Sequence, residues 1–147
     1  MNYLNNNRRI VELCGGTYGK NHSGSIFYPY QYIYETVQDA KCYVCFDVSA
    51  SYSPLNSTFQ NMTIYFWPTC HLDIAVMKDA PGLRYDLIAH EITKDWANQD
   101  QIGIGKSQIV YNDIYVVSDK IRGRAIQVSL FDISQEAYNR HAQSFVQ

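Results

Sequence analysis

Two β-type runs separated by a turn constrain the fold more than any other feature of the chain. AKCYVCFDVSASY (residues 40–52) is dominated by Val, Tyr and Phe, which suit a pleated, half-buried surface. QNMTIYFWPTCHLDI (60–74) places Met62, Ile64 and Phe66 on one face and Thr63, Tyr65 and Trp67 on the other. Ser53–Pro54–Leu55–Asn56–Ser57 between them supplies the turn of a hairpin. Pro68 withholds a ladder donor, which suits an edge or a bulge near the strand's end.

After the break Asp79–Ala80–Pro81–Gly82, the segment LRYDLIAHEITKDWANQ (83–99) reads as an amphipathic helix. Leu87, Ile88, Ile92 and Trp96 fall along one stripe, with Asp86, Lys94 and Asp95 mostly outside it. SQIVYNDIYVVSDK (107–120) and GRAIQVSLFDI (123–133) follow as a second hairpin around the turn 119–123. In the last strand Ile126, Val128 and Leu130 alternate with Gln127, Ser129 and Phe131, the pattern of a half-buried strand. Residues 1–13 suit a short helix ending at Gly15–Gly16. GGTYGKNHSGSIFYPYQY (15–32) reads as a long loop or extended arm, and 134–147 as a tail or short helix opened by Ser134. The expected fold is α+β, one domain over 1–147: a sheet of two long hairpins, antiparallel or mixed, packed with one main helix.

A length of 147 residues is enough for a sizeable core. Charged residues make up 18% and the formal net charge is -2, a balance unlike that of a general nucleic-acid binder. Thirteen tyrosines in so lightly charged a chain point to a surface that meets protein. No apolar run reaches the ~18 residues of a membrane span, and the N-terminus lacks a signal-peptide core, so the expected site of synthesis is cytoplasm. Three Asn-x-Ser/Thr sequons, at Asn21, Asn56 and Asn61, are then expected to carry no glycan.

Several motifs invite a chemical reading. IGIGKS (102–107) has the end of a phosphate-binding loop, but Asp100 occupies the first glycine's place. The segment also leaves a helix for a strand, whereas phosphate sits where a strand enters a helix N-terminus. HEITK (90–94) has Lys94 where a zinc helix needs a second histidine. Cys42 and Cys45 form C-x-x-C inside a β-run, where residues three apart face opposite sides, so the cysteines are expected as buried or half-buried thiols. The four histidines, His22, His71, His90 and His141, follow no hydrolase pattern, and Asp95 and Asp100 read as solvated charges. No catalytic, cofactor or metal residue is assigned, and no enzyme is expected. Lys120, Arg122 and Arg124 cluster at the second hairpin's tip, with Arg84 and Lys94 on the helix, as a docking element for an acidic partner or channelled nucleic acid.

Taken in order, AKCYVCFDVSASY, NMTIYFWPTCHLDI, GLRYDLIAHEITKDW, IGIGKSQIVYNDIY and RGRAIQVSLFDI resemble the neck and tail-completion proteins of long-tailed bacteriophages, tail terminators above all. The resemblance covers roughly residues 38–133 and rests on element order and phrasing such as the I-Y-F-W strand and the G-R-x-[IL] strand. It implies a virion protein, assembled in host cytoplasm, forming a ring, hexameric in that family. Such a ring caps the tail tube protein and meets the head-closure or connector protein, with DNA passing the lumen. On that reading Tyr65, Trp67 and the exposed helix side with Arg84 and Lys94 contact neighbouring subunits. Lys120, Arg122 and Arg124 form a basic rim, and the arm at 15–32 orders on a neighbour. The short, Asn-rich N-terminus departs from the sturdy first helix of tail terminators and keeps a head-closure or adaptor ring as the alternative. A small metal-binding or enzymatic domain is the alternative of another class.

Overall fold

The computed structural model describes residues 2–31, 40–53, 56–78, 81–97 and 105–133. The chain begins with two short helices, α1 (Asn2–Asn6) and α2 (Arg8–Leu13), and a two-residue strand β1 (Phe27–Tyr28). The long strands β2 (Cys42–Ser53) and β3 (Asn56–His71) follow, then α3 (Leu72–Ala75), α4 (Arg84–Trp96), β4 (Gln108–Val116) and β5 (Ile121–Ile133). The five strands form one sheet in the order β1-β2-β3-β5-β4. The pairings β2–β3, β3–β5 and β4–β5 are antiparallel and β1–β2 is parallel, so the fold is α+β with a mixed sheet, as expected. The two hairpins lie side by side through β3 and β5.

One face of this sheet carries the helices. Val44, Ile64, Phe66, Ile126, Val128 and Leu130 meet Ile88, Ala89, Ile92 and Trp96 of α4, with Leu4, Ile10 and Val11 of the first helices closing the core. The alternation read from β3 and β5 is therefore the alternation observed. Tyr85, one turn before Ile88 and Ala89, joins the buried stripe of α4. Tyr3 of α1 meets the Trp96 ring edge-on at 5.4 Å. Its hydroxyl donates to Asp95 at 3.0 Å, which fastens α1 to the last turn of α4.

Three boundaries differ from expectation. The strand expected to run to Ile74 ends at His71, just before a last cross-strand bond from the Leu72 N–H to the Lys120 carbonyl (2.8 Å), and the chain turns into α3. The His71 ring then accepts the Asp73 N–H at 3.2 Å and caps α3. β4 stops at Val116 and β5 starts at Ile121, where the Ser118 hydroxyl accepts the N–H groups of Lys120 and Ile121 and closes the turn. Cys42 and Cys70, expected as free thiols, face each other across β2 and β3 and form a disulfide. Cys45 is buried on the opposite side of the strand and Cys14, after α2, within the helix-side core; neither belongs to this disulfide.

The loop at 15–32, expected to order on a neighbouring subunit, docks on its own sheet as far as it is described. Phe27 is fully buried, Tyr28 stands edge-on to Tyr43 at 6.0 Å, and the Val44 N–H donates to the Ile26 carbonyl. From there Gln31 reaches the far side of the sheet and donates to the Tyr115 hydroxyl at 2.5 Å. The segment is a strap across the face that carries no helix. Phe27 and Tyr28 are thus buried on this chain's own strands, while Tyr18 and Tyr30 of the same segment stay about half exposed. The first hairpin's tip at 54–55, the IGIGKS residues up to Ile104 and the C-terminal segment 134–147 lie outside the described residues.

Candidate assembly surface

β4 borders β5 and has no strand on its outer side among the described residues. Its register sets Ile109 beside Val128, places a bulge at Val110, and then sets Ile114 beside Arg124 and Val116 beside Arg122. Ile109 is half-buried against the core, but the helical layer ends there. Val110, Ile114 and Val116 stand 58%, 62% and 59% exposed, and Tyr111 is exposed on the opposite face. An outer strand with apolar groups on both faces is what monomeric proteins avoid, because it templates association.

The backbone of this edge is partly closed to strand addition. Asp113 Oδ1 accepts the Ile114 N–H at 2.7 Å, so that donor is not offered to another strand. The sheet's other long edge repeats the device. Beyond Cys45, β2 has no outer partner among the described residues, and Asp47 Oδ1 accepts the Val48 N–H at 2.8 Å. Carboxylates placed this way discourage indiscriminate sheet-to-sheet growth. What β4 presents is therefore a side-chain surface.

The expected site residues separate into three groups. Lys120 and Arg122 are exposed beside the Val116 end of β4 and give the apolar strip a basic border. Arg124 faces α4, where its Nε donates to Asp86 Oδ1 at 2.6 Å, so its charge serves the fold. Arg84 is likewise half-buried: Nη1 donates to the Leu13 carbonyl at 3.1 Å and ties α2 to α4. Both are corrections to the expected exposed basic surface, and in both the guanidinium spans two elements because each lies where α4 approaches the rest of the chain. Lys94 is exposed, 3.8 Å from Glu91, as a solvated helix charge. Tyr65 and Trp67 stack at 5.7 Å on the face without helices. There Trp67 packs on Tyr28, Tyr43 and Cys45 beside the strap, so the pair is half-buried within one chain.

Val110, Tyr111, Ile114 and Val116 were not among the expected site residues. Their alternation marks a strand, and alternation does not say which strand ends a sheet. Electrostatics near the surface follow burial. Burial raises the Tyr85 phenol above its ordinary value, Asp86 adds to this, and Arg122 and Arg124 oppose it. Burial pushes the Cys14 thiol up to about 12, so it is neither a nucleophile nor a ready metal ligand. Among the described residues no three metal-ligating side chains converge, and no helix is long and apolar enough to cross a membrane.

With this geometry in place, comparison with known proteins gives one match: a model of the YomW family fits residues 5–130. No curated protein and no solved structure matches the chain.

Proposed function

The chain belongs to the YomW family and is a phage-associated protein, and we propose that it is a structural component of the phage particle whose copies pack side by side through β4. The exposed apolar strip of Val110, Ile114 and Val116 carries this reading. Contact between β4 of one copy and a different surface of the next is heterologous, and such contacts make a ring where the rotation between copies closes and a filament where it does not. The ring read from the tail-terminator resemblance, seated between tail tube and head connector, is the arrangement proposed here. Lys120 and Arg122 at the strip's end supply a basic rim for an acidic neighbour or for passing DNA. The Cys42–Cys70 disulfide supports the same reading, since disulfides are rare in proteins that remain in cytosol and suit one that leaves the cell in a released particle.

Sedimentation of the purified protein tests the assembly. The wild type should sediment as a closed oligomer, and Ile114→Lys with Val116→Lys should give monomers that still unfold cooperatively in urea, at a midpoint below that of the assembled wild type. A wild type monomeric at micromolar concentration would discard the proposal. Asp113→Ala separates the two ways of meeting a neighbour: association by side chains is unchanged, whereas association by sheet continuation tightens when the Ile114 N–H is released. Imaging of particles made without the protein assigns the position. Overlong or unjoined tails indicate a terminator, and emptied heads without tails a closure ring.

A further inference from the structure

α1 carries Asn2, Asn5 and Asn6, a spacing that sets three carboxamides on one side of the helix, while Leu4 is buried in the core. Two open surface depressions adjoin at Asn6. One, of about 430 Å³, is lined chiefly by Asn2, Asn5, Asn6, Tyr18, Lys20 and Asn21. The other, of about 380 Å³, is lined by Tyr3, Asn6, Asn7 and Asp95. Their walls are fixed by hydrogen bonds within the chain. Asn5 Oδ1 accepts the His22 N–H at 3.0 Å and Asn21 Oδ1 accepts the Ser23 N–H at 3.0 Å. In the second depression Asp95 is held by Asn7 Nδ2 at 2.6 Å as well as by Tyr3. Asn2 and Asn6 are exposed and make no contact that builds the wall, and Tyr18 is half exposed.

The lining selects by chemistry. Ligand cavities of this size are usually lined by apolar side chains, yet no aliphatic side chain lines either of these. A carboxamide presents donors and an acceptor side by side, the complement of neighbouring hydroxyls that each donate and accept. Lys20 is the one charged group lining the first depression and Asp95, already held by Tyr3 and Asn7, the one lining the second, so the two together carry no net charge. The Tyr18 ring offers a flat apolar surface for the C–H face of a sugar ring. Two depressions meeting at one residue match a ligand built of at least two units. We propose that this double depression binds a neutral oligosaccharide, with Asn6 between two adjacent sugar units. The inference stands on α1 and the loop 18–23, and is independent of the assembly through β4.

The test is titration of the isotope-labelled full chain with maltotriose, chitotriose and galactotriose, followed through the side-chain amide resonances. One of these trisaccharides should shift the amides of Asn2, Asn6 and Asn21 at millimolar concentration or below, and its monosaccharide should bind more weakly. Asn6→Ala and Tyr18→Ala should each weaken binding about tenfold, the loss of roughly one hydrogen bond or one ring contact. Both side chains stand outside the core, so the urea midpoint should not move. Failure of all three sugars to shift these amides overturns the inference, as does a shift that survives both substitutions.

Discussion

Arg124 on β5 donates from Nε to Asp86 Oδ1 on α4 at 2.6 Å, whereas Arg122, two residues earlier on the same strand, stays exposed. Both side chains belong to the helix-bearing face, and the difference is the reach of α4. Arg124→Ala should lower stability by about 1 kcal/mol, the scale of a partly exposed charged pair. Arg122→Ala should weaken association while leaving the urea midpoint within error at concentrations low enough that both proteins are monomeric. Equal effects of the two substitutions on stability would show that the ion pair does not tie α4 to the sheet.

Gly123 sits at the crossing of β3, β5 and β4, opposite Thr69 on one side and Tyr115 on the other. A Cβ there would lie 2.0 Å from the Pro68 carbonyl oxygen and 2.8 Å from Thr69 Cα. Neither is the end of a flexible side chain, so the strands themselves must move apart. Gly123→Ala should cost about 2–3 kcal/mol, in the range of overpacked cores. A midpoint indistinguishable from wild type in urea would disprove this close approach.

Thiol counting checks the bridge between the hairpin's two ends. Denatured under non-reducing conditions, the chain should alkylate at two of its four cysteines, Cys14 and Cys45. Reduction should then expose Cys42 and Cys70 and lower stability by about 2–4 kcal/mol, the usual contribution of a closed loop of this length. Four reactive thiols before reduction would contradict the pairing.

Burial makes this fold sensitive to alkali. Cys14 titrates in the folded chain at about 12, above its ordinary 9.0, because burial penalises the thiolate. Tyr3 and Tyr85 are also raised, each chiefly by burial. A raised pKa means that the folded state holds its proton longer than the unfolded chain does. The stabilisation from Cys14 is therefore complete below about pH 9 and lost as pH rises through about 12. The urea midpoint should fall across that window, and Cys14→Ala, compared with wild type at each pH, should flatten the fall. A slope unchanged by Cys14→Ala would remove the thiol from the account.

Much of this architecture was legible in the residues. Period-2 alternation in β3 and β5 named the buried faces, and the 3.6-residue stripe located α4 with its ends near Arg84 and Trp96. Even the disulfide had a signal, since Cys42 and Cys70 lie about equally far from the turn at 53–57, which sets them opposite in a hairpin. Reading Cys42 only against its near neighbour Cys45 hid it. The strap from Phe27 to Gln31 was not legible, because Tyr- and Gly-rich segments look alike whether they dock on their own chain or on another.

Local sequence determined which residues point together along each strand and helix, since that depends on a backbone repeat and nothing distant. Tertiary structure alone decided that β4 lies outermost, that α4 stops short of Ile114 and Val116, and that Arg84 and Arg124 are spent inside the molecule. Those outcomes depend on the order of strands and the reach of one helix across them. Both arise from contacts between segments distant in the chain, and no short window of sequence contains them.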